Sequence, residues 1–279
     1  MTYRETMENG EQILQAAGIE DAKNDAWLLL AMACRIDHTY YYVHMGEAMP
    51  AEQQEAYEAL VKKRAERVPL QYITGEQEFM GLNFKVNSNV LIPRQDTETL
   101  VEEALKRIEP GMKLMDMCTG SGCILISILK NAVGVQGVGY DISKQALLVA
   151  KENARLNEVQ ASFEKSDLFD QVSDSYDMIV SNPPYIRSEE IPALMPEVSC
   201  FEPLIALDGR EDGLYFYRRI VAESKKHLKP NGWLLFEIGC DQGKDVCDMM
   251  NYAGFAEVGV TKDLAGNDRV VCGKWVHDL

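Results

Sequence analysis

From residue 96 onward the chain alternates short aliphatic runs with longer stretches of helical period. The strand-like runs fall at 113–117, 135–140, 161–164, 178–181 and 233–238, with two more near 256–260 and 269–275. Among them, 97–107, 122–130, 144–156, 214–227 and 241–252 place apolar residues on one face of a helix. Parallel strands need crossovers of a dozen residues or more, and a helix is the usual crossover. The alternation therefore predicts an α/β fold, a doubly wound sheet covered by helices.

The first 75 residues have a different pattern. Met7, Ile13, Leu14 and Ala17 share one helical face, Asp21 can cap a second helix through Trp27 and Leu30, and Pro50 can open a third that runs to about Arg67. After Gly75 the period changes to two: Phe79, Leu82, Phe84 and Val86 lie around the turn residues Gly81 and Asn83, which predicts a β-hairpin. The expected organisation is a small N-terminal helical domain at 1–75, a β-hairpin linker at 76–93 and the α/β domain at 94–279. No segment approaches the ~20 continuous apolar residues of a membrane span. The N-terminus has neither the basic start nor the apolar run of a secretion signal, so a cytoplasmic location is expected.

In a doubly wound sheet, ligands bind beyond the carboxyl ends of the strands. Four segments of this chain meet that condition. After the first strand comes DMCTGSGCI, in which Cys118, Thr119, Gly120, Ser121 and Gly122 form a glycine-rich turn into a helix. Such a turn lets the backbone approach a ligand and aims helix N–H groups at it. It departs from the dinucleotide pattern because Cys118 replaces the first glycine, which is tolerable only if the turn needs no positive φ there. The second strand ends at Asp141, about twenty residues further on, where a carboxylate can accept hydrogen bonds from both hydroxyls of a ribose. A helix N-cap is the other reading of Asp141. After the third strand, Asp167 and Leu168 follow Ser166, where a carboxylate or backbone amide can meet the edge of an adenine. After the fourth comes Asn182-Pro183-Pro184-Tyr185.

The remaining features exclude more than they suggest. Seven scattered cysteines without a C-x-x-C pair read as reduced, mostly buried small hydrophobes, and with four unclustered histidines they offer no metal site. The net charge of -16 opposes a polyanionic partner, because nucleic-acid affinity comes largely from Lys and Arg on phosphate. The stretch GCDQGK at 239–244 has too few residues between its glycines for a phosphate loop, and Asp245 replaces the Ser or Thr. The thirteen methionines and the Tyr40-Tyr41-Tyr42 run read as packing.

Taken together these stretches resemble the release-factor glutamine N5-methyltransferases of the HemK type, which are class I S-adenosylmethionine-dependent methyltransferases. The resemblance spans nearly the whole chain. It is carried by RVPLQYITGEQEFMGLNFKVNSNVLIPRQDTETLVE at 67–102, DMCTGSGCI, YDISKQALLVAKENA, SDLF, YDMIVSNPPYI, FEPLIALDGREDGLYFYRRI, FEIGCDQG and KDLAGNDRVV. Two departures are Cys118 at the first glycine and Leu168 where relatives can carry an aromatic residue.

The resemblance implies a Rossmann-like methyltransferase sheet, with S-adenosyl-L-methionine bound by Cys118, Thr119, Gly120, Ser121, Gly122, Asp141, Asp167, Leu168 and Asn182. It implies a protein partner, a peptide chain release factor methylated on the glutamine of its Gly-Gly-Gln motif, with no direct nucleic acid and no membrane. Catalysis would rest on Asn182, Pro183, Pro184 and Tyr185, the first two accepting the amide N–H groups, Pro184 stiffening the backbone and Tyr185 packing on the amide plane. No histidine or raised-pKa carboxylate is expected in these motifs, and none is needed. NPPY also occurs in enzymes acting on adenine N6 or guanine N2, so a nucleic-acid amino methyltransferase is the alternative enzyme, and a non-catalytic S-adenosylmethionine-binding module the alternative outside catalysis. Arg94, Asp96, Thr97 and Glu98 form a second polar cluster, readable as near the cofactor or as a helix start.

Overall fold

The computed structural model describes residues 1–276; His277, one of the four histidines above, lies outside them. Along the chain the helices are α1 (Tyr3–Ala16), α2 (Ala22–Cys34), α3 (His38–His44), α4 (Ala51–Ala65), α5 (Leu70–Thr74), α6 (Glu98–Leu105), α7 (Cys123–Asn131), α8 (Lys144–Leu156), α9 (Pro196–Ser199), α10 (Tyr215–Ser224) and α11 (Gly243–Tyr252). The strands are β1 (Glu76–Phe79), β2 (Leu82–Lys85), β3 (Lys113–Met117), β4 (Gln136–Asp141), β5 (Ser162–Lys165), β6 (Tyr176–Ser181), β7 (Leu228–Glu237), β8 (Phe255–Lys262) and β9 (Asp268–Trp275). They form two compact units, 1–75 with 195–201, and 76–194 with the described residues from 202 onward. Among the described residues no helix is long and apolar enough to cross a membrane.

In the first unit, Thr2 opens α1 with a capping box: its Oγ1 accepts from the Glu5 N–H at 3.2 Å while Glu5 accepts from the Thr2 N–H at 2.8 Å. Asp21 precedes α2 but makes no side-chain cap bond, so that expected cap is absent. The tyrosine run became α3, too short to show a helical period. Trp27 stacks on His38 with centroids 3.9 Å apart, and Tyr41 is buried.

The inclusion of 195–201 in this unit was unforeseen, and buried charge explains it. Glu197 accepts from Arg64 at 2.9 Å and from Arg67 at 2.7 Å, and Arg64 also donates to Asp25 at 2.7 Å. Such charges tolerate burial only when mutually paired.

The second unit contains a seven-stranded sheet in the order β5-β4-β3-β6-β7-β9-β8. The strands β3 to β7 run parallel, and β9 pairs antiparallel with both β7 and β8. Leu114, Met178, Val180 and Leu235 face the core beneath α6, α7 and α8, while Met115, Ile179, Leu234 and Phe236 face that beneath α10 and α11. With both faces covered, the central strands carry apolar residues on both faces. The chain leaves β3 for β4 and β5 on one side and returns with β6 on the other. The switch point therefore lies between the carboxyl ends of β3 and β6.

The hairpin β1–β2 belongs to this second unit. Phe79 and Phe84 are buried in its core, and Asn153 of α8 binds both the N–H and the carbonyl of Lys85. The same Asn153 donates to the Ser121 carbonyl at 2.9 Å, linking the hairpin to the glycine turn. Strand β7 begins at Leu228 rather than 233, because a register shift opposite Tyr176 and Met178 accommodates the turn-forming residues 229–232.

Candidate active site

The turn after β3 is held by its own side chains. The Thr119 N–H donates to the Tyr140 carbonyl at 2.9 Å, the Thr119 hydroxyl to Asp116 at 2.5 Å, and the Gly120 N–H to Asp141 at 2.9 Å. Gly120 has φ 54°, and a Cβ there would meet nothing within 4 Å, so the turn faces open space. Cys118 also has a positive φ, 62°. The condition under which a side chain is tolerated at the first glycine position is thus not met, and Cys118 sits in the left-handed region at a cost of roughly 1–2 kcal/mol. Substitution should reverse the usual order of small residues. Both Cys118→Gly and Cys118→Ala lose the thiol, but only alanine keeps a Cβ, so the glycine variant should be more stable by about 1 kcal/mol in urea denaturation. A more stable alanine variant would show that the turn carries no such strain.

Asp141 ends β4 with one carboxylate oxygen on the Gly120 N–H and the other on the Ser143 N–H at 2.8 Å. The cap of α8 is Ser143, whose Oγ accepts from the Ala146 N–H at 3.2 Å. Each Asp141 oxygen retains a lone pair for a ligand hydroxyl. Burial raises the Asp141 carboxyl above its ordinary value, against the pull of those backbone bonds. Burial also raises Asp116 to about 7, and one of its oxygens is buried without a partner. The expectation of no raised-pKa carboxylate in these motifs is therefore corrected: an acid at the end of a fully covered strand has no water to stabilise its charge. Beyond β5, Leu168 is buried with φ 46°, and exposed Asp167 pairs with Arg219 at 3.2 Å.

After β6 the chain runs through Asn182 to Tyr185. Asn182 and Pro184 line the same cavity as Asp141, and no hydrogen bond is made by the Asn182 side chain among the described residues. Tyr185 does not line it. Its hydroxyl donates to Glu237 at 3.2 Å, its carbonyl accepts from Gln242 at 3.0 Å, and Gly209 packs so closely that a Cβ there would lie 2.7 Å from the Tyr185 Cα. Residues 186–188 pair with 207–210 through Ile186 N–H to Leu207 O at 3.0 Å, Gly209 N–H to Ile186 O at 2.8 Å and Ser188 N–H to Arg210 O at 3.0 Å. The segment before α10 thus folds back along the NPPY exit.

One cavity therefore gathers Cys118, Thr119, Gly120, Ser121, Asp141, Asp167, Leu168, Asn182 and Pro184, whereas Gly122, Pro183 and Tyr185 are not among the residues lining it. Of the second cluster, Arg94 and Thr97 line it. Asp96 pairs instead with Arg269 at 3.2 Å, and Glu98 accepts from the Met80 N–H at 2.7 Å. Arg94 is bound to Glu202, whose carboxyl burial nonetheless raises.

The chain's similarities fit this layout. Residues 5–75 match the PrmC N-terminal domain, and residues 94–196 the methyltransferase small domain. A release factor glutamine methyltransferase of Geobacter sulfurreducens is 40% identical over 274 residues, covering 98% of this chain and 96% of that one. The chain belongs to the release factor glutamine methyltransferase family. A second relative of that name, from Cereibacter sphaeroides, is 42% identical and spans 94% of each chain. Among solved structures, a methyltransferase from Pyrococcus furiosus superposes with TM-score 0.54 at 16% identity, over 71% of this chain and 90% of its own, a likeness of fold alone.

Sequence reasoning missed Glu237, Gln242, Gly209 and Gly213. A signal existed for the first two. They end or follow β7, at the same carboxyl edge that singled out the four segments above.

Proposed function

We propose that this protein transfers the methyl group of S-adenosylmethionine to the side-chain amide nitrogen of the glutamine in the Gly-Gly-Gln motif of a peptide chain release factor. The products are N5-methylglutamine and S-adenosylhomocysteine. The observation that carries this reading is Asn182, whose side chain makes no hydrogen bond among the described residues, set beside Pro184 in the cavity that also holds Asp141. The full-length relatives narrow the acceptor to glutamine. The charge of -16 favours a protein over a nucleic acid.

The cavity suits the cofactor. Asp141 offers acceptors to a ribose, Ile142, Ala146 and Leu168 offer apolar walls to a flat heterocycle, Asp167 lies at their edge, and the turn around Gly120 leaves space for a methionine moiety. Thr119, Ser121 and Cys118 complete that turn, while Gly122 packs close to Ile126, Ala150 and Phe163. Bound there, S-adenosylmethionine supplies an electrophilic sulfonium methyl group.

A carboxamide nitrogen is a poor nucleophile because its lone pair is delocalised into the carbonyl. The protein's task is chiefly orientation, which can contribute roughly 7–11 kcal/mol towards a barrier. The Asn182 side-chain oxygen and the Pro183 carbonyl each accept one N–H of the substrate amide, fixing its plane and favouring the positive charge that develops on nitrogen. Pro184 has no N–H to compete for these acceptors, and both rings stiffen the segment. Tyr185 acts by anchoring that segment, since its hydroxyl is engaged with Glu237. The methylated amide is acidic enough to lose its proton to water.

The test offers methyl-labelled S-adenosylmethionine with purified release factor, with its Gln→Ala variant, and with tRNA or rRNA in parallel. Label in the release factor alone is expected. Label in the variant factor or in the RNA overturns the proposal.

A further inference from the structure

We propose that Gln242 is a positioning residue for methyl transfer, clamping the acceptor loop through the Tyr185 carbonyl. The proposal rests on the reading of Asn182 given above.

Gln242 lies in GCDQGK, the stretch that fails as a phosphate loop. It follows β7, and it is 4% exposed, rare for a glutamine on a turn. Its whole carboxamide is engaged. Nε2 donates to the Tyr185 carbonyl at 3.0 Å and to the Gly213 carbonyl at 3.3 Å, while Oε1 accepts from the Gly239 N–H at 2.9 Å. One side chain therefore joins three loops at the carboxyl edge: the NPPY exit, the segment before α10, and the turn after β7. Glutamine suits this place because it presents two donors and an acceptor without charge. A carboxylate would set an oxygen against two carbonyls.

The surroundings are shaped to the clamp. Gly213 has φ 73°, and a Cβ on it would collide with the Tyr185 carbonyl and lie 2.6 Å from Gln242 Nε2. The peptide plane so held joins Tyr185 to Ile186, one residue beyond Pro184, and the two prolines allow little internal adjustment. Any shift at the Tyr185 carbonyl is thus passed to Asn182 and Pro183. A displacement of about 1 Å in a reacting group costs on the order of 100-fold in rate.

The experiment compares Gln242→Met, which keeps length and loses every hydrogen bond, and Gln242→Glu, which keeps only the acceptor, with Asn182→Ala and the double variant Asn182→Ala/Gln242→Met. Calorimetric titration with S-adenosylhomocysteine counts competent sites, so kcat is expressed per folded molecule and partial misfolding does not mimic the effect. Both single Gln242 variants should lose about 10- to 100-fold in kcat, with cofactor Kd changed less than about threefold. Adding Gln242→Met to Asn182→Ala should cost little more, because residues acting as a unit are not additive. Wild-type kcat per site in Gln242→Met, or a full second loss in the double variant, overturns the clamp. Near-normal turnover in Asn182→Ala alone would instead overturn the role of Asn182.

Discussion

Replacing Asn182 by alanine should lower kcat for release factor methylation by roughly 100- to 1,000-fold, the range for removing one preorganised partner of developing charge. The loss should appear at saturating cofactor and saturating factor. Among the described residues the Asn182 side chain has no partner to release, so the substitution leaves no buried group unpaired and the fold should be little disturbed. It is one of several residues lining the cavity, so cofactor affinity should change only slightly. Calorimetry for binding and single-turnover label transfer for chemistry separate the two. A variant turning over within threefold of the wild type would show that the amide is oriented by something other than this side chain.

The contrast between Asn182 and its neighbours shows what was legible in the sequence. The sheet was, because a parallel sheet imposes a pattern that local chemistry reports. Lys113–Met117 and Tyr176–Ser181 carry apolar residues on both faces, and glycine or proline follows within three residues of their ends. The segments beyond β3, β4, β5 and β6 were then placed by a topological rule that needs no contacts.

The supports were not legible, for two reasons. Gln242 and Glu237 act through long-range bonds, to Tyr185 among others, which no period announces. The stretch from 186 to 213 has neither helical nor strand period; its course is set by backbone bonds to 207–210 and, at Glu197, by two arginines far away in sequence. The first reason was avoidable. Extending the carboxyl-edge rule to the end of β7 would have drawn in both residues. Cys118 is a case of a different kind. Its side chain hid a glycine-like conformation that only the backbone reveals.

Asp141 should control cofactor affinity as Asn182 controls chemistry. A carboxylate accepting from two ribose hydroxyls makes two charge-assisted bonds of about 1.5–3 kcal/mol each. Even the lower figure for both implies that Asp141→Ala raises the dissociation constant of S-adenosylhomocysteine roughly 100-fold. That loss alone is ambiguous, because Asp141 also holds the N–H groups of Gly120 and Ser143, and freeing them would loosen the same wall. Ligand chemistry resolves it. If the carboxylate binds the ribose, the 2′-deoxy and 3′-deoxy analogues should each bind the wild type about 10-fold more weakly than the parent compound, yet bind Asp141→Ala as well as the parent does. If it only braces the turn, each analogue should lose the same factor in both proteins. Equal losses would assign Asp141 to the architecture of the glycine turn and leave the ribose to other residues.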